Sequence, residues 1–246
     1  MNITFESTPI LFGKFHLCAL IMCVFINALV YYLLKDKEEK LLLKIIHYIS
    51  LCMLVLEVFK QFFCYYYVFD RQINLWFFPW QLCSMAMYCG FLIKYVNKDK
   101  QNSLLIFLAT YSLVAAVVAL IGPLDMLRPQ ILLTLQSFVY HILMITLSII
   151  SIIIIRKRDN LKFHKTFILF LLMALIAEII NVVAHQILHD IHKEPDMFYI
   201  TPYYPTTQPV FNYIAVKFGI LTEVIIYLGL ISLSSYLIFR LIKKKI

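Results

Sequence analysis

The sequence predicts an all-α, polytopic membrane protein of seven transmembrane helices, with the N-terminus outside and the C-terminus cytoplasmic. Three observations carry that reading. Of 246 residues, 62% are apolar and only five are glycine, more greasy surface than a soluble fold of this size can hide. The apolar residues gather in seven runs of about 20, the length a helix needs to cross a bilayer core. Sixteen of the 22 lysines and arginines fall in four clusters, at 35–44, 94–100, 156–165 and 240–245. These clusters sit where the positive-inside rule places cytoplasmic ends.

Taken in order, the first span covers about 12–34. It lacks the basic start and small-residue cleavage site of a signal peptide and is too long for one, so it is expected to persist as a helix. The basic KDKEEK segment at 35–40 separates it from a second span at 41–64, and a third is expected at 76–96, opening near Pro79. The fourth, 103–122, ends at Gly122, and the fifth, 131–155, runs into the basic segment RKRDNLKFHK. The sixth, 166–188, is followed by 189–215, an extracellular stretch punctuated by proline and dense in Tyr and Phe. It reads as an ordered lid at the lipid interface. The seventh span, 216–239, completes a single membrane domain over 1–246.

Several function classes drop out. The formal charge of +8 would suit nucleic acid, but the basic residues lie in short clusters between apolar runs, where anionic headgroups are the natural partner. Cys18, Cys23, Cys52, Cys64, Cys83 and Cys89 all lie within spans and form no C-x-x-C pair, so no structural disulfide is expected. The chain has no G-x-G-x-x-G and no phosphate-binding glycine loop, hence no soluble cofactor is expected.

The informative residues are the polar ones inside the spans, since charge at bilayer depth is expensive and marks function by default. Glu57 and Lys60 of helix two, Trp80, Gln81, Cys83 and Ser84 of helix three, and Gln136 and His141 of helix five lie toward the outer side. Glu178, Asn181 and His185 of helix six and Glu223 of helix seven fall at the same level. The spacings 57/60 and 178/181/185 each make one stripe on a helix. A shared, wet, outward-facing pocket lined by these residues is the simplest arrangement, because Lys60 is the one cation expected at the depth of the acids, so the others must be protonated, hydrated, metal-bound or paired with a histidine.

Four chemistries suit such a pocket. Cys83 with His141 suits acyl transfer, in which an imidazole takes the thiol proton and the thiolate attacks an ester. His185, His189 and His192, with Asp190 and Glu194 beside them, suit a helical metal site and a metal-dependent hydrolase. The acids Glu57, Glu178 and Glu223 suit a proton-coupled small-molecule carrier. A non-catalytic binding or assembly subunit needs none of this chemistry.

Four runs carry a resemblance. They are Glu57-Val-Phe-Lys60, Pro79-Trp-Gln-Leu-Cys-Ser84, Gln136-Ser-Phe-Val-Tyr-His141 and the loop from Tyr199 to Pro209. In this order, over roughly residues 50–215, they resemble the YwaF family of bacterial membrane proteins, which looks related to eukaryotic transmembrane protein 164. The resemblance implies a phospholipid acyltransferase of the cell membrane that uses a cysteine and a histidine. Its partners would be membrane lipids, a lysophospholipid and an acyl-donor phospholipid. His141 matches the family histidine, and Cys83 matches the cysteine of the bacterial Pro-x-x-Leu-Cys pattern. Trp80 stands where eukaryotic members carry the cysteine of a Pro-Cys-His run. Under this reading Cys83 is the nucleophile, His141 the general base, and Glu178 or Asn181 orients the imidazole.

Overall fold

A computed structural model describes residues 4–123, 125–188 and 194–244. Among these, six helices are long and apolar enough to cross a membrane: Lys14–Leu34, Glu39–Val68, Lys98–Ile121, Ile131–Arg156, Phe163–Leu188 and Ile220–Lys243. The chain is therefore an all-α polytopic membrane protein, with six candidate transmembrane helices rather than seven.

Helix α1 (Lys14–Leu34) shows lipid-facing side chains such as Val24 and Phe25 and buries His16, Cys23 and Asn27. Asn27 ties it to the bundle by accepting a hydrogen bond from Thr146 Oγ1 at 2.9 Å. Helix α2 (Glu39–Phe63) ends in a π-helical turn, Cys64–Val68. The expected third span is broken. After a 3₁₀ turn at Leu75–Phe77 the chain is extended near Pro79, takes a second 3₁₀ turn at Leu82–Ser84, and only then forms α3 (Met85–Leu92). Proline bars the preceding residue from helical geometry, and the freed Pro79 carbonyl accepts from the Tyr88 hydroxyl at 3.0 Å. Irregular backbone is tolerated at such depth when protein covers it. Here Ser50 of α2 packs so closely on Gly90 that a Cβ there would lie 2.0 Å from its Oγ.

Helices α4 (Lys98–Phe107) and α5 (Leu113–Ile121) are joined by a π-helical turn, Leu108–Ser112, into one rod. Tyr111 of that turn stacks on Phe107 and on Phe170, with centroids 5.3 and 4.4 Å apart, in the heart of the core. Helix α6 (Ile131–Arg156) is the buried central pillar, and α7 (Phe163–Leu188) lies on the other side of α4. The expected seventh span starts too early, because Gly219, at φ 91°, separates a short α8 (Pro209–Phe218) from α9 (Ile220–Lys243). That left-handed φ suits glycine. Val210, Tyr213 and Val216 of α8 are largely exposed, the pattern of a helix lying in an interface.

The bundle has two unlike ends. At one, Arg158 binds Glu39 at 2.7 Å, Asn102 at 2.6 Å and Gln101, Lys157 Nζ donates to Lys35 O at 3.0 Å, and Lys165 pairs with Asp99. Lys243 Nζ adds a bond to Arg158 O at 2.8 Å, so the C-terminus of α9 lies here. At the other end Thr4 bridges to Gln130 and Phe5 N–H donates to Pro129 O at 2.9 Å. The two described ends of the chain thus lie at opposite ends of the bundle. All six cysteines are free.

Candidate functional site

A cavity of about 360 Å³ opens beside the broken third crossing, within the range of small-molecule sites. Three elements build its polar wall. Helix α2 supplies Glu57 and Lys60, the third crossing supplies Gln81, Cys83 and Ser84, and α6 supplies Gln136, Ser137 and His141. Sequence depth alone brought these residues to one level, and the fold brings them to one space.

The spacing of Glu57 and Lys60 places them on one face of α2, and Lys60 Nζ stands 2.8 Å from Glu57 Oε1. Gln61 donates to the same oxygen at 2.7 Å and to Phe77 O at 2.5 Å. The buried carboxylate is thereby neutralised by a neighbour and hydrogen-bonded, which is what keeps a charge tolerable at that depth. Gln136 Nε2 reaches Leu56 O at 3.4 Å and pins α6 to α2.

His141 Nδ1 lies 2.8 Å from the carbonyl of Ser137, one turn back on α6. A carbonyl only accepts, so Nδ1 carries the hydrogen and Nε2 of the neutral ring keeps its lone pair. Among the described residues no protein group engages Nε2. Cys83 sits in the 3₁₀ turn that opens α3, at the positive end of that helix's dipole. Thiol and imidazole line one cavity without a direct hydrogen bond between them.

Trp80, Glu178, Asn181, His185 and Glu223, expected in the same pocket, are held elsewhere. Trp80 Nε1 donates to Met173 O of α7 at 3.2 Å. Asn181 clamps the connection before α8 from both sides: its Nδ2 donates to Met197 O at 3.2 Å and its Oδ1 accepts from Met197 N–H at 2.7 Å. It therefore does not orient the imidazole, a task the Ser137 carbonyl performs. Gln81 makes a matching pair of bonds one residue to each side, donating to Asp196 O at 3.0 Å and accepting from Phe198 N–H at 3.1 Å. The two amides hold an irregular 3₁₀ turn, Met197–Tyr199, inside the bundle, where Asp196, Met197 and Phe198 are fully buried. Phe198 and Tyr199 there adopt φ of 59° and 58°, a conformation these residues hold only when their surroundings over-determine it.

This inserted segment has its own acid group. Glu178 of α7 and Glu223 of α9 neighbour Asp196, and each of the three has a buried carboxylate oxygen without a protein partner among the described residues. Burial pushes the Asp196 carboxyl up to about 6, against the pull of the Thr201 N–H. His185 stacks on Tyr203, with centroids 3.5 Å apart, and its Nδ1 is 2.8 Å from Glu194 Oε2. The acids at one depth thus split in two: Glu57 belongs to the cavity, while Glu178 and Glu223 flank the inserted segment.

Of the metal-site residues expected near His185, His189, Asp190 and His192 lie outside the described residues. Among the described residues no group of three His, Cys, Asp or Glu side chains is placed to hold a metal ion. Spacing and depth assign no role beyond charge to Asp125 and Arg128, or to Tyr199 beyond its loop, yet all three line the cavity. Pro123 and Pro129, which bracket the first two, were the available sign of a rigid connection.

In comparison with known proteins, the TMEM164 family model matches residues 11–237. No curated protein and no solved structure matches the chain.

Proposed function

We propose that this chain, which belongs to the TMEM164 family, transfers acyl chains between membrane phospholipids, with Cys83 as nucleophile and His141 as general base. The observation that carries the proposal is the shared cavity, lined both by an imidazole whose Nε2 no described residue engages and by a cysteine thiol. We place the chain with the bacterial YwaF-type members on its Pro79-Trp-Gln-Leu-Cys83 run. Position 80 also argues for Cys83, because the Trp80 indole is turned to α7 and does not line the cavity.

In the proposed reaction His141 Nε2 takes the Cys83 proton and the thiolate attacks the ester carbonyl of a donor phospholipid. The tetrahedral intermediate collapses to a thioester, and the leaving lysophospholipid alkoxide takes the proton from the imidazolium. An acceptor lysophospholipid hydroxyl then gives its proton to Nε2, attacks the thioester, and the thiolate leaves and is reprotonated. Bonds and protons balance without a cofactor. We assign the basic end of the bundle to the cytoplasm, which puts the cavity toward the outer leaflet.

The test is transfer of a labelled acyl chain from phosphatidylcholine to a lysophospholipid in proteoliposomes. Cys83→Ala is expected to abolish transfer, and His141→Ala to slow it by about a hundredfold or more, the usual contribution of a general base. Undiminished transfer by Cys83→Ala would remove the thiol from the reaction. A carrier built on Glu57, Glu178 and Glu223 is less well supported, since two of those acids lie off the cavity.

A further inference from the structure

The cavity has two chemically different ends. Beside the Cys83–His141 wall stands Arg128, in the connection between α5 and α6. Its backbone is fixed on both sides by Thr134, whose Oγ1 accepts from Arg128 N–H and donates to Arg128 O, each at 3.0 Å. Its side chain is fixed too: Nε donates to Asp125 O at 2.9 Å, and the guanidinium lies over the Phe77 ring, 4.6 Å from the centroid. Lys60 Nζ lies 6.0 Å from the same centroid, so both cations flank one ring.

Lys60 has its carboxylate, but no carboxylate forms an ion pair with Arg128 among the described residues. Asp125, the nearest acid along the chain, offers Arg128 its backbone carbonyl, while its carboxylate accepts from the Tyr199 hydroxyl at 3.4 Å. No acceptor among the described residues engages the two Nη nitrogens. A half-buried guanidinium with an open planar fork is the geometry that binds phosphate through two parallel hydrogen bonds.

The other end of the cavity is apolar and reaches the bundle surface. Val118 of α5 and Leu230 of α9 both line it, and they are 59% and 48% exposed. Residues that belong at once to a cavity wall and to the outer apolar surface mark a sideways opening onto lipid.

We propose that Arg128 anchors the phosphate of a phosphodiester lipid whose acyl chain leaves the cavity between α5 and α9. The proposal rests on the acyl-transfer reading and deepens it by naming what the cavity holds. With the phosphate at Arg128 the glycerol esters fall on the polar wall that carries Cys83 and His141. The chain's distal part stays in the bilayer. Arg128 is then a positioning residue that selects phospholipid over neutral glycerolipid.

Photo-crosslinking in nanodiscs tests this, using the Cys83→Ala variant so that binding is read without any acyl transfer. The probes are phosphatidylcholine and diacylglycerol bearing the same photoreactive chain, with crosslinks mapped by mass spectrometry. The expected result is labelling of α5 and α9 peptides by phosphatidylcholine. Arg128→Gln should lower it at least about tenfold, the size of a lost bidentate charge-assisted contact, leaving diacylglycerol labelling unchanged. Arg128→Lys, which keeps the charge but loses the fork, should fall between the two. Val118→Trp, at an exposed position, should block labelling without lowering thermal stability. Equal labelling by the two probes, or phosphatidylcholine labelling indifferent to Arg128→Gln, overturns the anchor. Displacement of the lipid probe by millimolar inorganic phosphate also overturns it, because the site would then be one for free phosphate. An anchor that stands while labelled-chain transfer fails would sink the acyl-transfer reading alone.

Discussion

Replacing Asn181 by leucine, close to it in volume, tests whether the segment before α8 is held in the bundle by side-chain amides. Asn181 satisfies both the N–H and the C=O of Met197, and Met197 is fully buried. Leucine leaves two backbone groups unpaired in an apolar site, at about 1–3 kcal/mol each, or about 2–6 kcal/mol together. Gln81→Met should cost less. It orphans the Phe198 N–H, but Asp196 O keeps a bond from Tyr199 N–H at 3.2 Å, so about 1–3 kcal/mol is expected. Hydrogen exchange followed by mass spectrometry reads this locally. If the segment opens as a unit, Asn181→Leu should speed exchange at Met197 and Phe198 by about thirty-fold to about twenty-thousandfold, at tenfold per 1.4 kcal/mol. Gln81→Met should give a smaller acceleration at the same amides. Unchanged protection in Asn181→Leu, or a larger effect from Gln81→Met, would refute the reasoning.

Two further outcomes follow from other parts of the fold. Burial raises the Asp196 carboxyl from 3.8 to about 6, so the inserted segment binds the proton more tightly than the free chain. Its contribution to stability is fully present below about pH 4 and is lost as pH rises through about 6, by about 3 kcal/mol in all. Thr201 amide exchange, corrected for its intrinsic pH dependence, should therefore quicken over that window, and Asp196→Asn should flatten the change; Glu178, Glu223 and Tyr204 face the same group and would carry any remaining slope. At the α2–α3 contact, Gly90→Ala should lower stability by about 1–3 kcal/mol through overpacking. Adding Ser50→Ala should restore much of it, since the clashing atom is Ser50 Oγ at 2.0 Å; no recovery in the double variant's unfolding midpoint would place the strain elsewhere.

Six of the seven expected spans were legible because a long apolar run has few alternatives to a helix in lipid. The run at 76–96 is less apolar than the others yet long enough to cross, and hydropathy does not register that Pro79 denies its neighbour helical geometry. Gly219 was equally silent, a single residue that turns one run into two helices. The polar residues show a different limit. Depth along a helix ranks Glu57, His141, Glu178 and Glu223 together, but it says nothing about the direction in which each helix faces. Glu57 and His141 turn toward one cavity, while Glu178, Asn181 and Glu223 turn toward the backbone inserted between α7 and α8. Asn181 is a polar residue satisfied by a partner 16 positions away, a pairing that no local spacing encodes. Arg128 was legible as a charge, and only the fold shows that Thr134 and Phe77 aim it.

Arg158 has one more consequence. Through Glu39, Asn102, Gln101 and Lys243 it laces the ends of α2, α4, α6 and α9 at a single point. Rods tied at one end move like the blades of a fan. Helix α9, with 24 residues, is about 36 Å long, so a pivot of about 5° at its tied end swings the other tip by about 3 Å at that length. Widening the gap beside α5 then breaks no bond of the pin. The joint at Arg158 and the opening beside Val118 then share one lever.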